Sequence, residues 1–325
     1  MIKVELHCHL DGSLNVDSVQ EMLKEQGIIY EREELKKRLE VNSDCASLTE
    51  YLEKFELPLL CLQTKEGLKR AAYELVRDVT AEGVKYIEVR FAPMLSTAKG
   101  LSCAEAIRYV VEGLKEGERE YGVFASAIVC AMRHHSLEQN LQMLHEARPF
   151  IGKGVCALDL AGDESSFPTK LFREIFEQAN EWDIPFTIHS GECGSVENVH
   201  EAIALGAKRL GHGIALRQSA DLRKLCKEKG IGIEMCPTSN QQTKAVNSWE
   251  NYPLKQFLEE GLLVSIHTDN RTVSGTTMTQ EKSIAKKWLN LSEEMVVQCT
   301  RNAIATAFAT DEVKKQLYDM LDRCK

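Results

Sequence analysis

Two histidines separated by one residue open this chain, in Glu5-Leu-His7-Cys-His9-Leu-Asp11-Gly12. On an extended strand, positions two apart share a face, so both imidazoles present their nitrogens to the same side. Neutral imidazoles side by side at a strand end can chelate a first-row metal, most commonly zinc. The pair alone is also what a solvated surface strand shows, so the weight falls on where the other histidines and carboxylates stand. Four further runs carry them: Asp159-Leu-Ala-Gly162, His189-Ser-Gly-Glu192, Gly211-His212-Gly213 and His267-Thr-Asp269-Asn270.

His7, His9 and His189 with the carboxylate of Asp269 make a zinc-type ligand set, which can keep room for a water. A bound zinc lowers the pKa of that water toward neutrality and supplies a hydroxide nucleophile. Glu192 stands three residues past a ligand, near enough to shuttle a proton. His212 lies between glycines that permit close approach, and a base or electrostatic role suits it. The other histidines read more plainly. His134 and His135 follow the third strand and reach toward the mouth, while His145 and His200 sit solvated on helical patterns. His267, two residues before Asp269, is expected behind the ligands.

Eight short apolar runs must position these groups: Lys3–Cys8, Lys85–Phe91, Val123–Ala131, Val155–Leu160, Pro185–Ile188, Arg209–Gly211, Gly232–Met235 and Leu263–Ile266. Most are rich in Ile, Val and Leu without clean alternation, the pattern of strands buried on both faces. Amphipathic helical patterns separate them. Leu68, Ala72, Leu75, Val76 and Val79 form one apolar stripe. Ser102 with Glu105 reads as a capping box, and Ser292 and Thr310 read as N-caps. The charged stretch Tyr30–Glu40 predicts a solvated helix face.

Eight βα units in an uninterrupted chain predict an α/β fold, a single (β/α)8 TIM barrel over residues 1–325. The long segment from Asp11 to Glu82 predicts extra helices after strand 1, and the chain beyond Asp269 predicts several more at the C-terminus. In such a barrel the C-terminal strand ends converge on one face, and five of them here carry His, Asp or Glu. An open doubly wound sheet normally has a glycine-rich phosphate loop after its first strand, where this chain has the histidine pair.

Composition narrows the functions further. At 325 residues, 43% hydrophobic and 27% charged, the chain is an ordinary globular protein. Its net charge of −9 argues against nucleic acid or an anionic membrane as partner. No apolar run is long enough to span a bilayer, and the first strand starts without a leader, which predicts a cytoplasmic protein. The eleven cysteines are an odd count with no CxxC pair, suiting free thiols in a reducing compartment. Cys130, Cys156 and Cys236 lie within apolar segments. The HxE and PCxxC signature of zinc cytidine deaminases is absent.

The stretches Val4-Glu-Leu-His-Cys-His-Leu-Asp-Gly-Ser13, Gly117-Glu-Arg-Glu-Tyr-Gly122, Cys130-Ala-Met-Arg-His134, Asp159-Leu-Ala-Gly-Asp-Glu164, His189-Ser-Gly-Glu192, Arg209-Leu-Gly-His-Gly213, Cys236-Pro-Thr-Ser239 and Thr268-Asp269 span nearly the whole chain. In content and order they resemble the adenosine deaminase family of the metal-dependent amidohydrolase superfamily. The resemblance implies hydrolysis of adenosine, and of 2′-deoxyadenosine, to inosine and ammonia, in purine salvage. It implies one Zn2+ per chain, held by His7, His9, His189 and Asp269, and attack of the activated water on purine C6. Glu192 is then the proton donor to N1, and His212 orients the water and helps deprotonate it. The Gly162 N–H faces N3, while His9 and Asp11 approach the ribose hydroxyls.

Two positions depart from the family pattern. Asn270 stands where a second aspartate is frequent and meets N7; its amide can donate to that acceptor at any pH. Ser190 stands where alanine is usual. Free adenine, a modified adenine nucleoside or a nucleotide are the alternative substrates. Asp11 bears on this, since free-base enzymes of the superfamily tend to carry glutamate there. A binuclear ester or phosphotriester hydrolase needs a bridging lysine after strand 4, and Asp159-Leu-Ala-Gly162 has none. A relative that only binds nucleosides should lack a ligand or Glu192, and all are present.

Overall fold

The eight strands form, in order, at β1 Lys3–His9, β2 Val84–Phe91, β3 Phe124–Met132, β4 Val155–Ala161, β5 Thr187–Ser190, β6 Arg209–His212, β7 Gly232–Met235 and β8 Leu263–Ile266. The computed structural model describes residues 1–323 except 43, 44, 46 and 47. Strands β1 to β4 pair in parallel in sequence order, as do β5 to β8. A bridge between Leu158 and Phe186 joins the two halves, and one between Cys8 and Asp269 closes the ring. All eight expected strands are present, with ends displaced by two residues or fewer, and the architecture is the (β/α)8 barrel.

Helices surround the ring because their apolar stripes have nowhere else to go. In the helix Lys65–Thr80, Leu68, Ala72, Leu75, Val76 and Val79 are all buried, each of the larger side chains contributing about 1.5–3 kcal/mol. Ser102 and Glu105 close the expected capping box on the helix Cys103–Tyr121. Ser292 and Thr310 cap the helices Glu293–Thr306 and Asp311–Asp322. Val16–Glu25, Arg32–Leu39, Leu48–Leu52 and Glu56–Cys61 are the extra helices after β1. The charged segment folds as Arg32–Leu39, and only Leu35 and Leu39 turn inward. Among the described residues no helix is long and apolar enough to cross a membrane.

The inside of the ring is charged, which its apolar flanking residues do not foretell. Arg90 and Arg209 are fully buried, together with Glu88, Asp159 and Glu234. Each charge is paired. Arg90 reaches Asp159 at 2.8 Å and Glu234 at 2.7 Å, and Arg209 reaches Glu234 and Glu88 at 2.5 Å each. Removing one partner of such a group strands the other charge in a dry interior, at a cost of about 3–5 kcal/mol.

Candidate active site

Backbone pairing between the last and first strands sets the centre of the site. Asp269 N–H donates to the His7 carbonyl and His9 N–H donates to the Asp269 carbonyl, both at 2.8 Å. This brings the aspartate beside the two histidines that alternate onto the inner face of β1. Asp269 Oδ1 then lies 3.4 Å from Nε2 of both His7 and His9. His189, from the end of β5, brings its Nε2 to 3.1 Å from Nε2 of His9. One donor atom from each of the four residues falls within 4.8 Å of the others. Gly211 makes this possible, since a Cβ there would sit 3.0 Å from the His7 ring and 3.1 Å from the His189 backbone.

The outer nitrogens show which lone pairs face inward. His7 Nδ1 lies 2.7 Å from Glu234, and His189 Nδ1 lies 2.9 Å from Asp159. A carboxylate at Nδ1 keeps the ring proton there and leaves Nε2 as a lone pair. Burial, with Arg90 nearby, lowers the His7 pKa to about 4, and burial also holds His9 well below the usual histidine range. Burial lowers His189 as well, but Asp159 outweighs it and raises that ring. Burial opposes charge on Asp269, yet His7 and the neighbouring imidazoles hold its carboxyl well below the ordinary value. His7 Nε2 is buried with no hydrogen-bond partner among the described residues. Three imidazoles and a carboxylate converging on one space make a donor set that fits a divalent cation.

Two of these strand ends are strained. Asp269 and His212 have φ of +61° and +64°, in the left-handed region that non-glycine residues seldom enter, at about 1–3 kcal/mol each. The strain turns both side chains toward the same space. Ser239 donates to Asp269 Oδ2 at 2.6 Å and fixes the carboxylate. Glu192 Oε2 stands 3.6 Å from His212 Nε2, and Thr243 donates to Glu192 Oε1 at 3.1 Å. The loop bearing Glu192 is anchored by Glu164, which accepts from the Gly191 N–H at 2.6 Å and the Cys193 N–H at 3.2 Å. From below, Arg133 donates to the His189 carbonyl at 2.7 Å.

These groups line a cavity of about 390 Å³ that includes His9, Asp11, Gly162, His189, Glu192, His212, Asp269 and Asn270. Its volume suits one small ligand. The roof is apolar: Tyr51, Leu52, Phe55 and Leu59 come from the helices after β1, and Leu95 and Met132 from the ends of β2 and β3. Asp11 is half-buried, its Oδ1 enclosed and unpartnered among the described residues, and burial pushes its pKa up to about 6. Asn270 is buried, its Oδ1 against Gly12, where a Cβ would come within 1.9 Å of it. Glycine at position 12 is what lets Asn270 seat there.

Every residue expected at the site from the sequence faces this cavity except His7, which lies just behind its wall in the four-residue cluster. His134 lines the mouth, His145 and His200 are exposed, and His267 binds Glu5 and Ser265 rather than any ligand side chain. Arg90, Glu234, Asn240 and Thr243 were not among the expected residues. For the first two a signal existed: a charge inside a buried strand must have a buried partner.

The adenosine deaminase family profile matches residues 2–324. An adenosine deaminase of Enterococcus faecalis is 44% identical over 323 residues, 99% of this chain and 96% of that protein. An adenosine deaminase of Clostridium botulinum is 47% identical over 320 residues, 97% of this chain and 95% of its own length. Among solved structures, an adenine deaminase from Arthrobacter aurescens superposes with a TM-score of 0.91 at 24% identity, covering 99% of this chain and 98% of that one. At that identity the likeness establishes the barrel.

Proposed function

The chain belongs to the adenosine deaminase family, and from that premise we infer that its pocket hydrolyses adenosine, and 2′-deoxyadenosine with it, to inosine and ammonia. The enzyme is a hydrolase with a small-molecule substrate and a metal cofactor. The observation that carries the site reading is the convergence of His7, His9, His189 and Asp269 on one wall, with Glu192 facing them across the cavity. We assign the metal as one zinc held by these four residues, a donor set of three imidazoles and a carboxylate. When bound, zinc supplies the Lewis acidity that makes a water nucleophilic near neutral pH.

The remaining chemistry falls to side chains. An aromatic amine leaves only after the ring has lost its aromaticity at C6. Glu192 protonates N1 as oxygen bonds to C6, so the electron pair of the C6–N1 double bond ends on nitrogen. The proton left on the added oxygen then passes to the amino group, which departs as ammonia, and C6 becomes a carbonyl. His212 directs its Nε2 at the incoming oxygen. Gly162 offers its N–H to N3, Asn270 its amide to N7, and His9 and Asp11 meet the ribose hydroxyls. The half-buried Asp11 carboxylate lines the cavity, which supports that last contact. Cys130 and Cys236 are buried free thiols, in keeping with a cytoplasmic enzyme.

The decisive assay follows the ultraviolet change on mixing purified protein with adenosine, with and without a chelator. Loss of the adenosine band with release of ammonia, abolished by the chelator, is the expected result. Unchanged adenosine, or turnover indifferent to metal removal, overturns the reading.

A further inference from the structure

We propose that Asn240 and Tyr252 fix the tautomer of His212, so that Nε2 faces the pocket as a hydrogen-bond donor and the attacking water gives its proton to Glu192 instead. The inference rests on the deaminase reading of the pocket. Asn240 is fully buried at the start of the segment after β7, and its Nδ2 lies 2.8 Å from His212 Nδ1. Behind it, the buried Tyr252 hydroxyl lies 3.0 Å from Asn240 Oδ1. The orientation of an amide is read from the partners on both sides. The hydroxyl of Tyr252 has no other partner among the described residues. If the amide were turned over, its NH2 would face the hydroxyl and the tyrosine proton would be left without an acceptor. That costs a buried hydrogen bond. With the hydroxyl donating to Oδ1, the NH2 must donate to His212 Nδ1. A neutral imidazole that accepts at Nδ1 carries its proton at Nε2.

The far side of the ring agrees. His212 Nε2 points toward Glu192 Oε2 at 3.6 Å, the direction in which an N–H meets a carboxylate. Thr243 already donates to the other oxygen, Oε1. A ring protonated at Nε2 has no lone pair to offer a water in the cavity, so it can orient the water but cannot take its proton. Asp269 is occupied, with Oδ2 bonded to Ser239 and Oδ1 turned to the histidines. Glu192 Oε2 remains. One O–H bond of the water breaks, its electron pair forms the bond from oxygen to C6, and the proton moves to Glu192. The same carboxyl delivers a proton to N1, which takes the electron pair of the C6–N1 double bond. Glu192 is again a carboxylate, and no further acid or base is consumed. Asn240 and Tyr252 are positioning residues in this scheme, since neither touches the substrate.

Nitrogen NMR of the metal-loaded enzyme labelled with 15N-histidine tests this directly, His212 being assigned by its loss in His212→Gln. The expected spectrum places Nδ1 in the unprotonated range and Nε2 in the protonated range. Asn240→Asp presents only acceptors and should move the Nδ1 signal into the protonated range, with metal content unchanged. Tyr252→Phe frees the amide to turn and should shift Nδ1 part of the way. A wild-type Nδ1 that is already protonated overturns the proposal, and so does an Nδ1 signal unmoved in both variants. Should Asn240→Asp not fold, the wild-type spectrum and Tyr252→Phe decide. Failure of the deaminase reading itself shows separately, as an enzyme that leaves adenosine intact whatever its tautomer.

Discussion

The Asp159 carboxylate lies 2.9 Å from Nδ1 of His189, on the side of the ring opposite the ligand cluster. Asp159 is in turn bound at 2.8 Å by Arg90, which also reaches Glu234, the carboxylate behind His7. One buried guanidinium thus braces two ligand histidines that stand on different strands. Arg90 also keeps the bracing groups charged: against the cost of burial, it and its neighbours hold Glu234 and Asp159 well below the usual carboxylate range.

The expected consequence is a metal site whose strength is set one layer behind the ligands. The purified protein should carry about one zinc per chain. Asp269→Ala or His189→Ala removes a ligand and should lower occupancy sharply. Asp159→Asn leaves every ligand in place and should weaken zinc about 10–100-fold, as measured by chelator competition. Two tightly held metals per chain, none, or a normal affinity in Asp159→Asn would each contradict this arrangement.

Glu192→Gln keeps the size of the side chain and the Thr243 contact but carries no transferable proton. Turnover of adenosine should fall by about 10²–10⁴-fold, the usual range for general acid–base catalysis, with metal content retained. Normal turnover would remove Glu192 from the chemistry. Loss of metal would make it a ligand.

The site was more legible in the sequence than the machinery that holds it. Candidate ligands such as His7 and Asp269 stand at strand ends, where a polar residue closing an apolar run is conspicuous and barrel geometry says where it points. The strands were readable for the same reason, since runs such as Gly232–Met235 are short, apolar and punctuated by glycine. Arg90, Glu234 and Asn240 were not legible as a set. Each reaches its partners only when distant strands are wrapped into one ring, and no local spacing encodes a contact 144 residues apart such as Arg90 with Glu234. The apolar roof was foreseen only as extra helices, because Phe55 and Leu59 look like ordinary core residues until their helix is docked over the mouth.

Asn270 makes a separate claim on the purine. Its Oδ1 packs against Gly12, and its NH2 is the group expected to meet N7. 7-Deazaadenosine lacks that acceptor and should leave the donor unpaired. A loss of about 1–3 kcal/mol in kcat/KM terms is expected. Asn270→Leu should slow adenosine and narrow the gap between the two substrates. Equal rates on both substrates with the unmodified enzyme would exclude the contact.

Stability should depend on pH through a group outside the chemistry. Glu281 is fully buried, accepts from Thr276 Oγ1 at 2.5 Å and from the Thr238 N–H at 3.2 Å, and burial raises its pKa to about 7. The folded state therefore holds this proton in a range where the unfolded chain, near the ordinary glutamate value of 4.5, has lost it. Its contribution is full below about pH 4.5 and is lost as pH rises through 7, up to about 3 kcal/mol in all. Glu281→Gln cannot ionise, so denaturant melts should show it losing less stability than wild type between pH 5 and pH 8. Parallel pH profiles for the two proteins would show that Glu281 is not protonated in the fold.

Asp11 is expected to decide which adenine compound is accepted. Its half-buried side chain lines the cavity from the first turn after β1, and at pH 8, well above the value of about 6 set by burial, the carboxylate is ionised. A 5′-hydroxyl can donate to it, whereas a 5′-phosphate meets it as a like charge. Two unit charges about 4 Å apart repel by about 4 kcal/mol at an effective dielectric near 20. A phosphate carries more than one charge, and the net charge of −9 offers no offset. At about 1.4 kcal/mol per factor of ten, adenosine should exceed 5′-AMP by at least about a thousandfold. Free adenine should also be poor, because it forgoes the ribose contacts proposed for His9 and Asp11. Initial rates at limiting concentrations of adenosine, 2′-deoxyadenosine, 5′-AMP and adenine provide the comparison. Asp11→Asn should cost adenosine activity while shrinking the penalty on 5′-AMP, since the repulsion goes but an acceptor stays. A preference of the unmodified enzyme for 5′-AMP or adenine would reassign the substrate and leave the metal, Glu192 and the deamination step as they are.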